Sequence, residues 1–440
     1  MRSRAFKIIS LIVIVLLLPV VVYGVTQVVS YLSRAGGTEA NLVIDTANST
    51  TTTDVWRNFA QGGEEKKRML EPVVGKAKAL RPQYVRIDHI FDYYDEASLD
   101  LTIGDIRAMG AKPFISITDS TVPTDWGAWE NKVQTLIQHV SGRDGLNISD
   151  VYYEVWNEPN LYGGYKIGGS PNYLDLYSHT VAGIVRARNA NSFKVGGPAT
   201  TALYKNWFDG LMRFASSSNL PVDFFSWHRY SKDLEDYEKD IVNVKTWLND
   251  YPNYSGMELM ITEMGPNSEN DKIYDNGFGA IHAIATNAVL EGEITGAFNF
   301  ELVDGPGSEQ YWGRWGIFTN PKFGEPIAKP RFAAFPFLNN MLGAKINVSG
   351  EGSWVKAFGK KSADLIKLLV VNYDINGTHT EAVPMKFVGL KFGNFTFKRT
   401  DFGGGGTEID VATSSSEWST IEFFRPNTAA IFQIIPKVNP

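Results

Sequence analysis

Two carboxylates stand where a chain could use them together. Val151–Asn160 reads Val-Tyr-Tyr-Glu-Val-Trp-Asn-Glu-Pro-Asn, a β-branched and aromatic run that favours a strand. Alternation predicts that Glu154, Trp156 and Glu158 share one face, and Pro159, with no N–H for a ladder, ends the strand where Glu158 emerges. Glu258–Gly265, Glu-Leu-Met-Ile-Thr-Glu-Met-Gly, is a second apolar run, closing on Glu263 beside a Gly-Pro turn. At the C-terminal ends of two strands of a parallel barrel, such acids face each other across the mouth. A glycosidic bond is cleaved by such a pair: a protonated carboxyl for the leaving oxygen and an ionised one for the anomeric carbon. The two stand ~5–5.5 Å apart when the second attacks directly and ~6.5–9.5 Å apart when a water lies between.

The barrel is read from a repeating order of elements. Strand candidates are Leu42–Ile44, Tyr84–Ile90, Pro113–Thr118, Val151–Asn157, Phe193–Gly197, Asp223–His228, Leu259–Glu263 and Gly296–Leu302. Between them run amphipathic stretches such as Trp129–Val140, Tyr173–Ala190, Tyr237–Leu248 and Phe278–Leu290, with apolar residues at helical spacing. Alternating strands and helices make a (β/α)8 TIM barrel over residues 38–342. An open doubly wound sheet would need a glycine-rich turn after its first strand, and Asp45–Thr53 contains no glycine. From residue 343 to 440 the texture changes to short alternating runs parted by turn signals, notably Asp374–Gly377 and Gly403–Gly406. This is the pattern of an antiparallel β-sandwich, with the four glycines as a hairpin tip.

Composition narrows the chemistry. A net charge of −6 over 440 residues argues against a nucleic-acid partner, which needs a basic stripe. The chain has no cysteine, so thiol nucleophiles, thiolate metal sites and disulfides are excluded. Its six histidines form no metal-binding motif, so neither a metal nor another cofactor is expected. At the N-terminus, Arg2, Arg4 and Lys7 precede the apolar run Ile8–Val25. Residues 1–33 are therefore expected to be a membrane anchor with its positive end in the cytoplasm, or else a cleaved signal segment; either puts the rest outside the cytoplasm.

The sequence also resembles a known group. Trp156-Asn157-Glu158-Pro159-Asn160, with Ile261-Thr262-Glu263 further on and Val195-Gly196-Gly197-Pro198-Ala199 between, is similar to the retaining glycoside hydrolases of clan A. Among these it most resembles family 39, which includes β-xylosidases, α-L-iduronidases and exopolysaccharide hydrolases. The resemblance implies an oligo- or polysaccharide substrate, Glu158 as general acid/base, Glu263 as nucleophile and Asn157 as donor to the sugar 2-hydroxyl. Arg86 resembles the clan's arginine near the nucleophile, where its charge would hold the Glu263 pKa down; pairing with Glu154 is the other reading. Glu158, facing a negative neighbour in a drier cleft, is expected to be pushed up. His228 and Tyr230 share a face of one strand, so either could donate a hydrogen bond to Glu263.

Trp312 and Trp315, in the loop after the eighth strand, are candidates for stacking on a sugar. Trp126 and Trp129 are a second candidate wall or simply a packed helix start. Asp88, His89 and Asp92 are expected to solvate the lip, and Asp45 is a weaker candidate. The sequence departs from the clan at Phe298-Asn299-Phe300-Glu301, where many members carry a tryptophan. A transglycosylase using the same intermediate and a non-catalytic glycan-binding envelope protein are the alternative readings.

Overall fold

The computed structural model describes residues 37–62, 68–391 and 393–437. After β1 (Leu42–Thr50), eight parallel strands close into a barrel: β2 (Asn58–Gln61), β3 (Tyr84–Ile87), β4 (Lys112–Ile117), β5 (Val151–Val155), β6 (Phe193–Thr200), β7 (Phe224–Tyr230), β8 (Glu258–Gly265) and β9 (Gly296–Phe300), which pairs back to β2. The outer layer includes α1 (Glu96–Ala108), α2 (Trp126–Val140), α3 (Tyr173–Arg186), α4 (Lys205–Ser218), α5 (Leu234–Leu248) and α6 (Gly277–Leu290). Asp125, Asn172, Asp233 and Asn276 each accept a backbone N–H at the start of the helix that follows. These caps satisfy donors the first turn would otherwise leave unpaired. The barrel interior is plugged by aromatic rings, with Phe114 packed on Tyr152, Phe224 and Phe298. Gly196 lies in a wall with no space for a side chain, since a Cβ there would fall 2.1 Å from the Phe224 carbonyl oxygen.

The second domain is one nine-stranded sheet, ordered β15 (Gly406–Ala412), β14 (Asn394–Asp401), β17 (Thr428–Pro436), β12 (Leu365–Asn372), β11 (Val355–Ser362), β10 (Ala344–Ser349), β1, β13 (Glu381–Val388), β16 (Trp418–Phe424). All its pairs are antiparallel except β1 with β13. The sheet curls so that its ends meet: Arg399 of β14 donates to Glu422 of β16 at 2.9 Å. Phe387, Phe397, Trp418 and Phe432 pack together in the enclosed core, so the sandwich is a single wrapped sheet. The glycine run 403–406 turns the hairpin between β14 and β15. Helix α6 lies between barrel and sheet, which is why nearly every residue from Gly279 to Leu290 is buried.

One expected strand belongs elsewhere. Leu42–Ile44, read as the first barrel strand, lies in β1 of the second domain, so a barrel drawn from residue 38 takes in a strand that is not its own. Its burial alternates, with Leu42 and Ile44 inside and Val43 on the surface, whereas a barrel strand covered by helices is buried on both faces. The strand that does fill the place, β2, is buried at all four positions, but Asn58 and Gln61 disguise it in the sequence. Among the described residues no helix is long and apolar enough to cross a membrane. The expected anchor at residues 1–33 lies outside the described residues.

Candidate active site

A cleft of about 660 Å³ opens at the C-terminal ends of the barrel strands. Asp88, His89, Asn157, Glu158, Tyr230, Glu263, Phe300 and Trp315 are among the residues lining it. Beneath it Arg86, wholly buried near the end of β3, makes three charge-assisted hydrogen bonds. Its Nε donates to Glu154 Oε2 at 2.8 Å, one Nη to Glu263 Oε1 at 2.8 Å and the other to Asn157 Oδ1 at 2.7 Å. Both readings of Arg86 therefore hold at once. Binding the Asn157 carbonyl oxygen leaves the amide N–H groups as the donors that Asn157 can offer a ligand.

Chain geometry brings Glu158 into the cleft. Trp156 and Glu158 adopt left-handed backbone angles, φ 73° and 44°, a conformation costing ~1–3 kcal/mol each and found where a site over-determines it. The turn breaks the alternation expected of this strand. Glu154 points into the barrel towards Arg86, but Trp156 packs outward against Trp129 and Tyr165. The shared face predicted for Glu154, Trp156 and Glu158 is thus not present.

On the facing strands, the β7–β8 register shifts between Trp227 and His228, setting His228 beside Glu263, as bulges do when they re-aim a side chain. His228 Nδ1 is 2.9 Å from Glu158 Oε1 and 3.5 Å from Glu263 Oε2. With carboxylates on both sides, that nitrogen carries the proton. Tyr230 donates its hydroxyl to Glu263 Oε2 at 2.8 Å, so of the two residues expected to serve Glu263, Tyr230 does so directly and His228 principally meets Glu158.

Burial raises the Glu263 pKa, and the charges of His228 and Arg86 only partly counter it, with Glu158 and Asp88 adding to the rise. Arg86 does lower this pKa, as expected, but excluding water from the carboxylate outweighs one shared guanidinium. Burial pulls His228 down, but Glu263 and Glu158 more than restore it, leaving its pKa above the ordinary imidazole range. Glu158, His228 and Glu263 bring one ligand atom each within 4.8 Å of one another. Tetrahedral zinc, with bonds of ~2.0–2.1 Å, spaces its ligands about 3.3 Å apart. The 2.9 Å Nδ1–Oε1 contact is tighter than that and suits a shared proton.

The candidate aromatic walls divide. Trp315 lines the cleft and packs on Phe300 with ring centres 5.2 Å apart, under the Arg314 guanidinium. An aromatic wall is therefore supplied from the loop that follows Phe300. Trp312 is not among the lining residues and packs over Gly307. Trp129 is core, donating to Thr180, and Trp126 stacks on His179. Asp88 is more than lip: it is 4% exposed, its Oδ2 is 3.8 Å from Arg86, and its other oxygen has no hydrogen-bond partner. His89 lines the cleft, 3.5 Å from Asp92, whereas Asp45 sits in β1, in the other domain. Leu161, Tyr162 and Thr201 also line the cleft and were not anticipated. The one signal for them is position, just beyond the strands that end in the motifs.

The sequence model of glycosyl hydrolases family 39 matches residues 75–252. Over that stretch the chain is similar to family 39. The matched stretch holds Arg86, Asn157, Glu158, His228 and Tyr230 and stops short of Glu263. The chain is 24% identical over 295 residues to a beta-xylosidase of Caldicellulosiruptor saccharolyticus, covering 58% of each protein. It is 25% identical over 292 residues to a beta-xylosidase of Geobacillus stearothermophilus, covering 56% of each. It thus spans a little over half the length of these curated relatives. Among solved structures, a monomeric beta-xylosidase from Caulobacter crescentus superposes with a TM-score of 0.72 at 18% identity, over 91% of this chain and all of that one. A GH39 enzyme from Xanthomonas axonopodis pv. citri superposes at 0.69 with 17% identity, over 91% and 98%. These likenesses carry the fold, a TIM barrel with a C-terminal sandwich.

Proposed function

We propose that this chain is a retaining glycosidase in which Glu263 attacks the anomeric carbon and Glu158 first gives and then takes the proton. The observation that carries the reading is the Glu158–His228–Glu263 arrangement, whose carboxylate oxygens approach within 4.8 Å. That spacing favours direct attack over an intervening water. In the first step a Glu263 oxygen bonds to the anomeric carbon, the bond to the leaving oxygen breaks, and the Glu158 proton moves to that oxygen. Arg86 and Tyr230 hold the two Glu263 oxygens and aim the attack. In the second step Glu158, left as the carboxylate, takes a proton from a water whose oxygen bonds to the anomeric carbon while the bond to Glu263 breaks, which restores both carboxyl groups.

The beta-xylosidases among the relatives make β-xylosides the first substrates to try. Incubation with a 2-fluoroxyloside should label Glu263. A label elsewhere, or turnover undiminished in Glu263→Ala, overturns the assignment; a chromogenic glycoside panel identifies the glycone if xylosides are not cleaved. For residues 1–33 the charged start and apolar run support a membrane anchor that leaves the barrel outside the cytoplasm. Protection of the barrel from protease added to intact cells would refute that placement.

A further inference from the structure

The segment leaving Glu158 carries two large apolar side chains that the fold does not bury. Leu161 is 60% exposed and Tyr162 47%, yet both line the cleft. Isolated exposed apolar residues are ordinary. These two are held in place. The backbone N–H groups of Leu161 and Tyr162 both donate to the Glu158 carbonyl, at 2.8 and 2.7 Å, and Trp156 Nε1 donates to the Tyr162 carbonyl at 2.9 Å. The Tyr162 ring meets His89 edge-on at 5.7 Å.

Asn160, the last residue of the Trp-Asn-Glu-Pro-Asn motif, has no part in the chemistry above. It staples this segment to the loop after β6: its Nδ2 donates to Thr201 Oγ1 at 2.6 Å, and its Oδ1 accepts from the Thr201 N–H at 3.1 Å. Thr201 in turn contacts the hydroxyl of Tyr204, 39% exposed. A rigid apolar ledge thus flanks Glu158, while Tyr230, Phe300 and Trp315 wall the cleft elsewhere.

The acid that protonates the leaving oxygen sits on the leaving-group side of the bond. We infer that Leu161 and Tyr162, locked to the β6 loop through Asn160 and Thr201, form the subsite for the sugar on that side, whether it is the leaving sugar or an acceptor in the reverse transfer. Sugar rings present apolar C–H faces, and an aromatic face beside an aliphatic one is the surface that takes them. The inference rests on Glu158 as the acid/base and adds the site of the second sugar.

The test compares kcat/KM for a disaccharide with that for the glycosyl fluoride of the same glycone: xylobiose and β-xylosyl fluoride first, or the pair matching whichever glycone the panel returns. Fluoride leaves without touching a second-sugar subsite. The disaccharide-to-fluoride ratio should fall about tenfold in Tyr162→Ala and about threefold in Leu161→Ala, and should recover in Tyr162→Phe, which keeps the ring. Asn160→Ala, which removes the staple alone, should lower the same ratio. Each ratio comes from a single preparation, so partial unfolding cancels. A ratio unmoved in both Tyr162→Ala and Leu161→Ala, or one that falls as far in Tyr162→Phe as in Tyr162→Ala, overturns the subsite while hydrolysis through Glu263 stands. Turnover that survives Glu263→Ala marks instead the failure of the parent reading.

Discussion

The barrel mouth and the seam between the domains each bury a cation among carboxylates, and the mouth opens onto a cleft of about 660 Å³. At the seam, Lys360 of β11 reaches Glu291, just beyond α6, at 2.5 Å, with Thr52 bonded to both. Neither charged side chain is exposed. At the mouth, Arg86 and His228 are outnumbered by Glu154, Glu158, Glu263 and Asp88. Burial raises both Glu291 and Glu263 above the ordinary carboxylate range, so the shift does not tell them apart. Asp54, 3.6 Å from Lys360, gives the seam its own excess of carboxylate, so what differs is access: Lys360 and Glu291 are sealed, whereas Glu158 and Glu263 keep 15% and 8% of their side chains exposed in the cleft. Buried charge becomes a clamp when sealed and a candidate reactive centre when a ligand can reach it.

Substitutions separate the two roles. Glu263→Ala should lower kcat by roughly 10⁴-fold or more without lowering the melting temperature; kinetics and calorimetry on the same sample check this. Lys360→Met should do the reverse. Stranding Glu291 should cost about 3–5 kcal/mol of stability in urea titrations with kcat per folded molecule unchanged, and adding Glu291→Leu should recover most of the loss. If Lys360→Met slows turnover of the folded enzyme, the contrast between seam and mouth fails.

Acidity gives a finer distinction. Because the folded His228 pKa lies above the ordinary imidazole range, its contribution to stability is fully present below that range and is lost as pH rises through the elevated folded value. The gap in melting temperature between the wild type and His228→Asn should therefore narrow towards alkaline pH, and a widening gap contradicts the shared-proton arrangement. Glu263 acts in the same direction, since ionising it in the fold costs more than in the unfolded chain. Its raised pKa also puts the acid limb of kcat/KM above the ordinary carboxylate range, readable from a pH–rate profile. A smaller effect than that of Glu263→Ala is expected of Tyr230→Phe, which removes one hydrogen bond to Glu263 and should lower kcat/KM about tenfold.

Taken alone, the sequence determined the barrel strands from β3 to β9, the change to a β-domain after residue 343, and the delivery of Glu158 and Glu263 to one rim. Each is a local matter: apolar runs of strand length, turn residues, and a carboxylate close to a strand's C-terminal end. Tertiary structure decided the rest. It moved Leu42–Ile44 into the other domain, because that strand's half-exposed pattern fits a sheet with one face on a core and the other in solvent. Trp156 was turned outward by its left-handed backbone, and Trp315 rather than Trp312 was brought to the cleft. Arg86 bonds Glu154, Glu263 and Asn157 together, and His228 favours Glu158. Hydrogen-bond choice among several nearby acids is fixed by shifts of an ångström or less, set here by an extra residue, Thr262, in β8 where it pairs with β7. Periodicity in a sequence specifies which face a side chain takes, and carries no information at that scale.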